Sequence, residues 1–258
     1  MSCKKRSLPA WMSLSNGNKR ESDQQQGGDG DTDSVKQKRK IKEAKLMKAS
    51  MDFDKVLQDS LQELKFQGNI VYSSYKSDCR GLCEDIELSL CDVEGAFIGF
   101  DMEWPVTYEV GNESKTAVIQ ICMGPASVYV FHLSAMGCFP KALQCLIQNE
   151  KILKVGVGIE SDLWKLDRDF DAPMLSTIKN SMVDLSKFAN QKLKTTETWS
   201  LEGLVRHLFH KRLSKDPSVR KGDWSRYPLT EEQKSYAASD AYASCLVYEK
   251  LRDKEKPA

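Results

Sequence analysis

From about residue 69 the apolar positions fall into short runs whose period alternates between that of strands and that of helices. "NIVYSSY" (69–75) reads as a strand, "DCRGLCEDIELSL" (78–90) as a helix capped by Asp78, and "AFIGFDMEW" (96–104) as a buried strand ended by Pro105. In "KTAVIQICMGPASVYVFHL" (115–133) two β-rich runs flank "MGPAS", which signals a hairpin. A helix is expected over 139–149, a buried strand in "KILKVGVGI" (151–159) and a helix from "ESDLWKL" (160–166). Beyond residue 184 the pattern is helical, ending in "TEEQKSYAASDAYASCLVYEKLRDK" (230–254), which Thr230 and Gln233 open as a capping box. The expected fold class is therefore α/β, a mixed sheet with flanking helices and a helical C-terminal half. No internal repeat is visible.

Ahead of this pattern, residues 13–40 are polar and nearly free of large apolar groups, too little to offset the entropy of ordering a chain. Residues 1–50 are thus expected to be a disordered tail, and 51–258 the folded domain. Of 38 Lys+Arg and 37 Asp+Glu, 12 and 6 lie in residues 1–50, leaving 26 against 31, a net of −5, on a mildly acidic body. Within the basic tail, "KQKRKIKEAK" (36–45) is a cluster of the kind that directs proteins to the nucleus or touches nucleic acid, so a nuclear location is expected. No apolar run approaches the roughly 18 residues needed to cross a membrane. Eight cysteines without a CxxC pair, and only three histidines, argue against structural zinc.

The strand pattern exposes an oddity in "GFDMEW" (99–104). Asp101 and Glu103, two apart on a strand, share one face, where two carboxylates repel unless a cation joins them. Asp162 follows the next buried strand at the first turn of a helix, with Glu160 as its alternative and Asp184 as a spare. Tyr236 and Asp240 lie four apart in the last helix, hence on one face, among the small residues of "YAASDAYAS". An oxygen-rich acidic set with few histidines suits hard divalent cations.

The segments "FDMEW" (100–104), "VGVGIESDLWKL" (155–166) and "WSRYPLTEEQKSYAASDAYA" (224–243) resemble the three ordered motifs of the DEDD 3′→5′ exonucleases. The likeness is to the tyrosine-bearing, RNase D-like subclass, in its Werner-type branch, and it runs over about residues 66–250. The resemblance implies an RNase H-like fold and two divalent ions, Mg²⁺ or Mn²⁺, held by Asp101, Glu103, Asp162 and Asp240, with Tyr236 orienting water. It also implies hydrolysis of DNA from its 3′ end, in repair or replication maintenance. No GxxxxGK[ST] occurs, so a stand-alone exonuclease is expected, with any helicase a separate partner.

A polyanion must still be drawn to an acidic site. Residues 187–226 carry ten Lys+Arg against four Asp+Glu, and Lys194, Arg206 and Lys215 are expected substrate contacts. Trp164 is an expected stacking platform. RNA trimming is the competing reading, because the 2′-OH is distinguished by local contacts that motifs do not report. A dinucleotide-binding enzyme is disfavoured by Ser161 where "GVGIES" would need its third glycine. A catalytically silent nucleic-acid binding module would have lost a ligand, and all are present.

Overall fold

The computed structural model describes residues 39, 40, 42, 60–107, 111, 113–214 and 216–255. The chain divides into units Met1–Asp54 and Lys55–Ala258. In the first, Arg39, Lys40 and Lys42 are helical and exposed; the rest of the expected tail lies outside the described residues.

The second unit is built on six strands, β1 (Asn69–Ser73), β2 (Phe97–Glu103), β3 (Val118–Cys122), β4 (Ser127–His132), β5 (Leu153–Gly156) and β6 (Met182–Asp184). Their spatial order is β1-β4-β3-β2-β5-β6. The β2–β3 and β3–β4 pairs are antiparallel, and β1–β4, β2–β5 and β5–β6 are parallel. This is the mixed sheet with flanking helices expected from the sequence. The hairpin around "MGPAS" forms as expected.

The helices are α1 (Lys76–Leu90), α2 (Leu133–Met136), α3 (Lys141–Gln148), α4 (Ile159–Phe170), α5 (Leu175–Asn180), α6 (Leu185–Leu193), α7 (Leu201–Phe209), α8 (Pro217–Arg220) and α9 (Glu231–Arg252). Helix α1 begins two residues earlier than expected, with Tyr75 at its N-cap, so Asp78 sits inside the first turn and favours the helix through its charge there. The strand expected over 151–159 is shorter, because Gly158 turns the chain at φ 73° and starts α4. The short β6 lies just ahead of the expected helical stretch, where no strand is expected, and its last residue, Asp184, caps α6 by accepting from the amides of Ser186 and Lys187. The capping box of α9 forms as read from the sequence.

Alternation along β2 decides the layering. Phe100 and Met102 enter a core with Ile86, Leu143 and Leu163 from α1, α3 and α4, so Asp101 and Glu103 turn to the other face, where α9 lies. Helix α9 can lie close because the facing residues are small: a Cβ on Gly99 would stand 2.1 Å from the Ala241 carbonyl oxygen and 2.9 Å from the Cys245 sulfur. The Gly99 amide donates to that sulfur at 3.1 Å, and the thiol donates to the Cys122 carbonyl at 3.1 Å, fixing α9 against β2 and β3. Gly99→Ala is therefore expected to push α9 off the sheet and to destabilise the protein by about 2–4 kcal/mol in urea unfolding. Unchanged stability would show that the close approach is dispensable.

Candidate active site

The two carboxylates of β2 meet Asp240 of α9, and oxygens of Asp101, Glu103 and Asp240 all lie within 4.8 Å of one another. They share the wall of a cavity of about 490 Å³ with Tyr236 and Arg220. The residues come from elements as far apart in sequence as β2 and α9, and the close packing at Gly99 is what brings those elements together.

Burial governs the protonation of this set, and like charge adds to it at Glu103 and Asp240. Burial lifts the Asp101 carboxyl to about 6, against a lowering influence from the Met102 backbone. Burial, then Asp101 and Asp240, hold Glu103 well above the ordinary carboxylate range, partly offset by Arg220. Asp240 is raised by burial and by Asp101, while the Tyr236 hydroxyl and Arg220 pull it down. Tyr236 is itself raised by burial and by Asp240, Glu103 and Asp101, which keeps its phenol neutral and in a hydrogen bond with the Asp240 carboxyl.

Asp162, in the first turn of α4, is not on the cavity wall but is felt there. Its carboxyl is lifted to about 8 by burial, then by Asp101 and Asp184, with Lys165 opposing. The alternatives to it are engaged elsewhere. Glu160 pairs with Lys187 at 2.8 Å, and Asp184 caps α6 while accepting from the Gly158 amide at 3.0 Å.

A further polar group completes the picture. Gln120 lies directly across β3 from Asp101, is fully buried, and has no hydrogen-bond partner for either side-chain amide atom. Buried amides are normally satisfied, so an unpaired one beside crowded carboxylates marks an environment suited to a bound cation and its water. The donor set is all oxygen, which fits Mg²⁺ or Mn²⁺.

The other expected contacts are not gathered here. Trp164 is 37% exposed on α4 and does not line the cavity. It stands two positions from Asp162, which on a helix points it to another side. Lys194 is exposed at the C-terminal end of α6, and Arg206 lies in the last turn of α7; neither lines the cavity. Lys215 lies outside the described residues. Among the described basic residues between 187 and 226, Arg220 is the one that lines the acidic cavity, a placement that no local sequence signal marks.

Residues 76–255 match the 3′-5′ exonuclease family. The chain is 52% identical over 196 residues to the bifunctional 3′-5′ exonuclease/ATP-dependent helicase WRN of Mus musculus, covering 76% of this chain and 14% of that protein. It is 34% identical over 206 residues to a 3′-5′ exonuclease of Drosophila persimilis, covering 79% of this chain and 58% of that one. It thus spans less than two thirds of either relative. Among solved structures, the Aedes aegypti Nibbler EXO domain superposes with a TM-score of 0.61 at 20% identity, covering 74% of this chain and 91% of that one. Escherichia coli RNase D, an exoribonuclease involved in structured RNA processing, gives 0.57 at 20% identity, covering 73% and 45%. At such identities these two show the fold alone.

Proposed function

This chain belongs to the 3′-5′ exonuclease family, and from that membership we propose that it removes nucleoside 5′-monophosphates one at a time from the 3′ end of DNA. The observation that carries the reading is the convergence of Asp101, Glu103 and Asp240 with the Tyr236 hydroxyl on one cavity wall. Asp101, Glu103, Asp162 and Asp240 are the residues that would hold two Mg²⁺ or Mn²⁺ ions. Bound there, such ions supply Lewis-acid stabilisation of the attacking and leaving oxygens. The protein's own groups do the rest. The Tyr236 phenol, kept neutral, donates to the attacking water or the scissile phosphate. Arg220 offers a cation to the phosphate at the cavity wall, offsetting the acids that would repel it. Trp164, Lys194, Arg206 and Lys215 are proposed as outer contacts along the approaching strand.

DNA is favoured over RNA because the motifs are Werner-type, and trimming of RNA 3′ ends is the second reading. Matched 5′-labelled DNA and RNA strands of one sequence test the choice under Mn²⁺: faster shortening of DNA is expected, and faster shortening of RNA would reverse it. We further propose a nuclear location, in repair or replication maintenance, set by residues 36–45. Deleting residues 1–48 should move a fluorescent fusion too large for passive diffusion into the cytoplasm. Unchanged nuclear accumulation would reject that role. Among the described residues, no helix is long and apolar enough to cross a membrane.

A further inference from the structure

Two tyrosines stand out of the surface together. Tyr75, just after β1, and Tyr227, in the loop before α9, are 61% and 58% exposed, yet their hydroxyl oxygens are 3.4 Å apart. Tyr227 is held from behind. Its ring stacks on His132, with centroids 6.3 Å apart and planes at 29°. His132 is fully buried and pinned at both nitrogens: Nε2 donates to the Trp224 carbonyl at 3.2 Å, so Nδ1 accepts from the Tyr72 hydroxyl at 2.6 Å. Trp224, also fully buried, donates its indole N–H at 3.2 Å to the carbonyl of Arg220, the residue on the acidic wall. One chain of contacts thus joins the exposed tyrosines to the cavity.

The sheet register sets the distance. Glu103 pairs with Val118, and Val118 with His132, so Glu103 and His132 lie in one row on one face. They are two strand spacings apart, about 10 Å. Exposed cations mark the way, with Lys221 and Arg226 in the loop between α8 and α9 and Lys76 next to Tyr75.

We propose that Tyr75 and Tyr227 form a base-stacking subsite for unpaired nucleotides of the substrate strand upstream of the two at its 3′ terminus. The proposal rests on the exonuclease reading and adds a second point of attachment to it. Every base has a π-face, so such a platform holds a strand without regard to sequence, and the neighbouring cations answer its phosphates. Both tyrosines are exposed, and a phenylalanine at 227 keeps the ring that stacks on His132.

The test compares wild type, the Tyr75→Ala/Tyr227→Ala double variant and the Tyr75→Phe/Tyr227→Phe double variant on a thymidine dinucleotide and on a thymidine strand of about twelve nucleotides. Loss of stacking should lower kcat/KM on the long strand about tenfold, through KM, and leave the dinucleotide unchanged. The phenylalanine variant, which keeps both rings, should behave as wild type. Equal losses on both substrates, or no loss on the long strand, would overturn the subsite. Fluorescence anisotropy of the long strand in EDTA reads the subsite without cleavage: about tenfold weaker binding by the alanine variant supports it, and unchanged binding overturns it. If wild type cleaves neither substrate, the exonuclease reading falls, while the anisotropy result still decides the subsite.

Discussion

Asp101→Asn should reduce cleavage of a DNA 3′ end by about 10³-fold or more while making the metal-free protein more stable at neutral and alkaline pH. The two effects share a cause. Asp101 is a would-be cation ligand set into the fold beside Glu103 and Asp240, and burial raises its carboxyl to about 6 from an ordinary 3.8. A carboxyl whose folded-state pKa exceeds its unfolded value favours the folded state fully below pH 3.8, and that contribution is lost as pH climbs through 6. Metal-free wild type should therefore lose stability between about pH 4 and pH 8, a window that Asp162, raised to about 8, extends at its upper end. Replacing Asp101 by a neutral isostere removes its share. For a side chain that keeps some contact with solvent, the gain at pH 8 is about 1–2 kcal/mol, with little change at pH 4. Thermal melts at both pH values in EDTA check the sign, and a variant less stable than wild type at pH 8 would contradict it.

Tyr236→Phe should slow turnover by about 10²-fold, on the order of 3 kcal/mol, with little effect on cation binding. Removing the hydroxyl leaves every carboxylate in place, and the ring still packs against Trp224, with centroids 6.0 Å apart. The loss therefore falls on orientation of the nucleophile or phosphate. Asp240→Asn is the contrasting variant, because it removes an oxygen from the set within 4.8 Å. Titration with Mn²⁺ followed by single-turnover rates separates them: near-normal affinity and slow chemistry for Tyr236→Phe, weakened affinity for Asp240→Asn. Equal weakening of Mn²⁺ binding in both would mean that the hydroxyl acts as a support for the Asp240 carboxylate and not on the substrate.

What could be read from the chain followed from local periodicity. The alternation in "FIGFDME" puts Asp101 and Glu103 on one face, and the four-residue spacing in α9 puts Tyr236 with Asp240. Both are properties of a strand and a helix taken singly, so they survive folding unchanged. Contacts set by how elements dock leave no such trace. The basic stretch 187–226 shows a charge excess but not which helix face each cation occupies, and the fold turns Arg220 toward the acids while Lys194 and Arg206 end elsewhere. Choosing among Asp162, Glu160 and Asp184 likewise needs the docking of α4 beside β6 and α6, which gives Glu160 a lysine and Asp184 the Gly158 amide. Strand β6 has three half-buried residues, too few for a period to declare itself. Tyr75 and Tyr227 are 152 residues apart and become neighbours only because β1 pairs with β4, beneath the loop that carries Tyr227.

On the proposed reading, the acidic cluster cuts DNA from the 3′ end with divalent cations. The most direct measurement uses a duplex with a recessed 3′ end, labelled at the 5′ end of the recessed strand in one sample and at its 3′ end in another, incubated with Mn²⁺ or with EDTA. The expected result is a ladder that shortens one nucleotide at a time from the 5′-labelled strand, immediate release of labelled nucleoside 5′-monophosphate from the 3′-labelled strand, and neither product in EDTA. Release of the 5′ label as a mononucleotide ahead of the ladder, or cleavage that persists in EDTA, would contradict it.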